Sequence, residues 1–129
     1  MSSFLRAGPY SYGTILDVYP VKVVRLDSFA RSNNIDFIDI LKLDLQGFEM
    51  EALQGTHQLL KSGLVGLVNV ELTFSNMYQV ETSPWDIVNL MESYGFVFVG
   101  LYRQHFQDNI LSWSDALFAN KSYINYNSR

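Results

Sequence analysis

A chain of 129 residues, 48% hydrophobic and 17% charged, holds enough apolar material for one domain with a real core, or for a large piece of one. Its formal net charge of -4 argues against nucleic acid or an anionic membrane as the main partner, because both select a basic face. The absence of cysteine removes disulfides, zinc–thiolate sites and thiol catalysis; with no bilayer-length apolar run and no signal-peptide core behind Arg6, it fits a reducing, cytoplasmic setting.

Residues 1–19, rich in Ser, Gly and Tyr, read as an irregular lead-in with turns at Gly8-Pro9 and Tyr12-Gly13. The β-branched run 21–26 predicts a strand, and Asp27 is placed to cap a short helix that Asn33-Asn34 stops. Residues 35–44 are almost continuously apolar, the pattern of a strand covered on both faces. Gly47 then turns the chain into a helix over 48–61. Glu49 and Glu51 complement the dipole in its first turns, and Ser62-Gly63 ends it. Gly55 within that helix reads as a close-packing or kink position. Residues 65–74 predict a second buried strand. Ser83-Pro84 opens a helix with proline at its favoured first position; Ile87, Val88, Leu90, Met91 and Tyr94 form its apolar face, and Gly95 closes it.

Strands over 96–101 and 114–119 follow, separated by the polar stretch 104–109, and residues 121–129 read as a tail. The alternation implies a single α/β domain with a mainly parallel sheet and right-handed crossovers. The last strand, with no helix before it, is expected to be antiparallel.

Chemistry is expected at the carboxyl ends of the parallel strands, where open α/β sheets bind ligands. Asp44 and Glu71 fall at or near the ends of the two buried strands, one strand–helix–strand unit apart, so both can face one crevice. Such a pair can act on a hydroxyl as general base or hold a divalent cation through oxygen. Capping of the following turn is an equally sufficient reason for Asp44, as a bond to a loop amide is for Glu71. Gln46 and Gly47 make a tight turn in which glycine supplies a left-handed conformation, with amides beyond it able to meet a polar ligand. Glu49 reads as a helix-start charge. His57 reads as solvated and His105 as a loop residue on the side of the site. Capping accounts for Asp27 and Asp115. Trp85 and Trp113 either rim an acceptor pocket or anchor their own elements.

The succession of motifs resembles the C-terminal half of the FkbM-type methyltransferases over residues 20–120. The run Leu41-Lys42-Leu43-Asp44-Leu45-Gln46-Gly47-Phe48-Glu49, continued by Ala52-Leu53-Gln54-Gly55, is similar to that family's signature K-x-D-x-[EQ]-G-x-E. Val21 to Phe29 with its Leu26-Asp27 step, Val70-Glu71, and Trp113-Ser114-Asp115-Ala116-Leu117-Phe118 resemble flanking family segments. The resemblance implies a class I, Rossmann-like methyltransferase sheet with an antiparallel last strand. It also implies S-adenosylmethionine as cofactor and transfer to a hydroxyl of a small-molecule or saccharide acceptor. Asp44 and Glu71 would then be the catalytic carboxylates, and Gln46 and Gly47 would lie along the methyl donor.

No glycine-rich turn precedes Val21, so the family's N-terminal donor-binding strands are expected to be missing, the chain is expected to be fragmentary, and little or no methyl transfer is expected of it alone. The alternative reading is a non-catalytic half-domain that self-associates through an exposed sheet edge or binds a partner. A metal-dependent hydrolase built on Asp44 and Glu71 ranks last, for want of enough strand–helix units to close a barrel.

Overall fold

The computed structural model describes residues 17, 19–75 and 82–127. It is an α/β structure in the order α1 (Leu26–Ser32), β1 (Ile38–Leu43), α2 (Glu49–Gly55), α3 (His57–Lys61), β2 (Val65–Thr73), α4 (Pro84–Ser93), β3 (Phe96–Gln107), β4 (Ile110–Asn120) and α5 (Lys121–Asn127). The four strands form one mixed sheet in the order β1-β2-β4-β3. β1 and β2 pair in parallel, and β4 is antiparallel to both β2 and β3. Three strands therefore run one way, and the antiparallel strand expected at the end of the chain inserts between two of them.

β2 is central and its side chains alternate. Val68, Val70 and Leu72 are buried, while Leu67, Asn69, Glu71 and Thr73 are half-buried. In register, Val68 stands between Leu41 and Phe118, and Val70 between Leu43 and Ala116. Leu53, Leu60, Ile87, Met91 and Phe96 complete the core from the helices and β3. Each such side chain contributes about 1.5–3 kcal/mol by leaving water. α4 begins as its sequence predicts: Ser83 accepts from the backbone while Asp86 reaches back to the Ser83 amide at 2.9 Å, a reciprocal cap. Gly95 after it has φ 86.

Several elements differ from expectation. Residues 21–25 form no strand, and the helix starts at Leu26. Val21, Val23 and Val24 are exposed, and β-branched residues favour strands only where a pleated neighbour receives them. β1 is not covered on both faces: it is an outer strand, and Asp39, Ile40 and Lys42 are exposed. The helix predicted over 48–61 breaks at Thr56, whose hydroxyl bonds the Ala52 carbonyl at 2.7 Å.

Asp27 does not cap its own helix. Its buried carboxylate accepts from the Gln58 and Leu59 amides at 3.2 and 3.1 Å, satisfying the start of α3 across the fold. The polar stretch 104–109 is strand and turn: β3 and β4 form a long hairpin through Asp108 and Asn109, at φ 50 and 62. Two-residue hairpin turns require left-handed backbone there, which Asp and Asn tolerate. The tail begins as α5. The turns read at Gly8-Pro9 and Tyr12-Gly13 lie outside the described residues.

Gly66 fixes how closely β1 and α5 approach β2. A Cβ there would lie 2.9 Å from the Asp39 carbonyl oxygen and 2.9 Å from the Tyr123 ring. Gly66→Ala is expected to destabilise the fold by about 1–3 kcal/mol, because backbone must move to relieve the overlap. A denaturant melt of the variant with an unchanged midpoint would contradict this packing.

Candidate active site

The site is assembled by strand register. Leu43 pairs with Val70, so the next step sets Asp44 beside Glu71; Glu71 in turn pairs with Asp115, and Asp115 with Tyr102. Asp44, Glu71 and Asp115 thus stand in a row across β1, β2 and β4. Directly opposed residues of antiparallel strands have Cβ atoms about 4.5–5.5 Å apart, so Glu71 and Asp115 are close neighbours on one face.

The outer two carboxylates each hold a cation. Lys42 Nζ lies 3.0 Å from Asp44, and an Arg103 guanidinium nitrogen lies 3.6 Å from Asp115. The Gln46 amide nitrogen also donates to Asp44 at 2.9 Å. These two donors, Lys42 first, hold the Asp44 carboxyl below its ordinary range.

Glu71 lies between them, half-buried, and among the described residues it has neither a hydrogen bond nor an ion pair. Burial, followed by the charges of Asp44, Glu49 and Asp115, pushes it up to about 7. It lines a small cavity with Gly47, Glu49, Met50, Thr73 and Ile87. The arrangement provides one fixed anion at Asp44 and one carboxyl at Glu71 that exchanges its proton near neutrality.

The loop between β1 and α2 is built by Glu49. Its carboxylate accepts from the amides of Leu45 at 2.8 Å and Gly47 at 2.9 Å. This clamps two successive left-handed residues, Gln46 at φ 56 and Gly47 at φ 100. Glu49 is therefore more than the dipole charge the sequence suggested, and the Gly47 amide is already bonded within the loop. Burial pushes Glu49 up, against the amide bonds that pull it down. The spacing of the signature now has a physical meaning. Lys42 and Gln46 orient Asp44, Gly47 makes the turn, and Glu49 locks it.

The remaining candidates separate. His105 is on β3, not in a loop, and stacks on Trp113 with ring centroids 5.3 Å apart. Trp113 pairs with Thr73, which places this stack beside the site, whereas Trp85 is exposed on α4 against Phe74. His57 is half-buried and meets the Tyr94 hydroxyl at 3.1 Å, away from the carboxylate row. Asp115, expected to cap at a strand border, instead lies within β4 opposite Glu71; it carries the signal that singled out Asp44, a carboxylate in an otherwise apolar strand. Among the described residues no group of three or more His, Asp and Glu side chains is arranged to hold a metal ion. Nor is any helix there long and apolar enough to cross a membrane.

A model of the family described as the methyltransferase FkbM domain matches residues 2–98. The match begins earlier than the motif resemblance and ends within β3, short of Asp115. No curated protein and no solved structure matches the chain.

The Glu71 shift has a direct consequence for stability. Its folded value of about 7 exceeds its ordinary 4.5, so the folded chain keeps a proton that the unfolded chain releases in that window. The stability contributed by Glu71 is complete below about pH 4.5 and is lost as pH rises through about 7. Thermal melts from about pH 5 to about pH 8 are expected to fall less steeply for Glu71→Gln than for the wild type. Parallel slopes would contradict the assignment.

Proposed function

The chain belongs to the methyltransferase FkbM domain family, and on that premise we propose that it serves S-adenosylmethionine-dependent methylation of a hydroxyl on a small-molecule or saccharide acceptor. The observation that carries this reading is Glu71, without an ion pair among the described residues, between the ion-paired anions Asp44 and Asp115 at the carboxyl end of a parallel strand pair. The residues present suit the cationic end of the donor. Asp44, Glu49, Glu71 and Asp115 make this corner of the fold negative, and Asp44 is held anionic. When bound, the donor supplies an electrophilic methyl group on a sulfonium sulfur.

The chain's own side chains divide the remaining work. Asp44, fixed by Lys42 and Gln46, would meet the positive charge of the donor. Gln46 and Gly47, held by Glu49, would form the loop beside it. Glu71 would take the proton of the acceptor hydroxyl, while the bound donor would supply the methyl group and leave as the neutral thioether. A base with a value near 7 is suited to this work at neutral pH. The half-buried Thr73 and Thr82 beside Glu71 offer hydroxyls to a polar acceptor, and Met50, Pro84 and Ile87 offer apolar contact. The chain's net charge of -4 keeps nucleic acid and anionic membrane out of this reading.

β1 has an outer edge with no paired strand among the described residues, and Ile40 on it is 63% exposed. A second copy adding there is the form of self-association the fold favours.

Calorimetric titration of the chain with S-adenosylmethionine tests the proposal. Although the sequence has no glycine-rich turn before Val21, the carboxylate row is proposed to supply donor contacts, and saturable binding weakened about tenfold by Asp44→Asn is expected. That variant should retain the wild-type stability to within about 1 kcal/mol, because the Lys42–Asp44 pair is half exposed. A cooperatively folded sample that gives no binding heat would overturn the reading.

A further inference from the structure

Asp115 has no part in the reading above, yet its placement is costly. It is buried to 6% exposure in β4 and directly opposes Glu71 on β2. Like charges directly across adjacent strands destabilise a sheet, and the neighbouring pairs on the same face, Asn69–Leu117 and Thr73–Trp113, carry no charge.

The cation that accompanies Asp115 is placed at a further cost. Arg103 sits at φ 50, in a stretch of β3 where the register slips between Tyr102 and His105. A left-handed conformation costs a non-glycine residue about 1–2 kcal/mol, and bulges of this kind re-aim side chains. Here the bulge carries a guanidinium that is 71% exposed back over the sheet to Asp115.

We propose that Asp115, held by Arg103, is a positioning residue for the methyl-transfer step: it acts through Glu71, keeping the exchangeable proton of the carboxylate row on that side chain. This rests on the reading of Glu71 as the base, and extends it to β4 and β3. Every charged group facing Glu71 enters the balance. Asp44 and Lys42 come from β1 and the turn after it, Glu49 from α2, Asp115 from β4, and Arg103 from β3. The Lys42–Asp44 and Arg103–Asp115 pairs flank Glu71 on its two sides, so the central carboxyl is the one left without a cation. Asp115 directly opposes Glu71, and the Arg103 guanidinium pairs with Asp115 and not with Glu71; burial and the charges of Asp44, Glu49 and Asp115 raise Glu71. No reaction step is added. The acceptor proton that Glu71 takes is returned to solvent after transfer.

Carboxyl-carbon NMR titration of Glu71 in the full chain tests this, and needs neither donor nor acceptor. The wild type should titrate near 7, and Asp115→Asn should lower the midpoint by at least about half a unit. Arg103→Gln, at a 71% exposed position, should lower it too, because Asp115 then loses the cation that fixes it opposite Glu71. This second variant decides the matter if Asp115→Asn fails to fold. An unmoved midpoint in a folded Asp115→Asn, or in Arg103→Gln where only that variant folds, overturns the proposal. Failure of donor binding with both shifts observed would instead refute the methyl-transfer reading that the proposal rests on, and with it the role of Asp115 in transfer. The two failures are thereby distinguishable.

Discussion

The carboxyl end of this sheet depends on one buried side chain binding two amides. Glu49 reaches back from the first turn of α2 to the Leu45 and Gly47 N–H groups, and so holds Gln46 and Gly47 left-handed. The left-handed Gln46 costs about 1–2 kcal/mol, whereas hydrogen bonds to a charged group contribute about 1.5–3 kcal/mol each. The clamp therefore outweighs the strain it imposes. Its result is that Gln46 turns onto Asp44, and Asp44 is fixed where β1 delivers it. Without the clamp the loop would be free to take other conformations, and Asp44 would keep only its exposed contact with Lys42.

Environment then gives two similar side chains different behaviour. Asp44 is half exposed with two donors against it, and is held anionic. Glu71, one strand away, has burial and three neighbouring carboxylates acting on it, and binds a proton near neutrality. A pair of carboxyls pushed apart in this way is the pattern on which the proposed roles of fixed charge and proton acceptor rest. The mixed topology is what allows it. An antiparallel β4 beside β2 brings Asp115 directly opposite Glu71, and its hairpin with β3 brings Arg103 within reach of Asp115.

Much of this was legible in the sequence where the signal is local. Asp44, Gly47 and Glu71 announce themselves as a charge, a turn and a second charge at the ends of apolar runs, and Ser83-Pro84 announces α4. What escaped depends on residues distant in the chain. Asp27 looks like a cap for its own helix, yet it caps α3, because only the packed fold brings the Gln58 and Leu59 amides to it. The run 21–26 has strand composition but no strand to pair with among the described residues. The stretch 104–109 is polar because that arm of the hairpin is exposed, so polarity there marked surface and not loop. Glu49 and Asp115 were assigned the nearest sufficient role, since neither the loop amides nor the facing strand can be seen from sequence spacing.

The central claim is that Glu71 takes the proton from the acceptor hydroxyl. The most direct test is the pH dependence of methyl transfer from labelled S-adenosylmethionine to a panel of saccharide and small-alcohol acceptors, for the wild type and Glu71→Gln. The account predicts transfer that rises with pH through about 7 and a loss of about 10²–10⁴-fold in the variant. Wild-type transfer by Glu71→Gln, with the same pH profile, would contradict it.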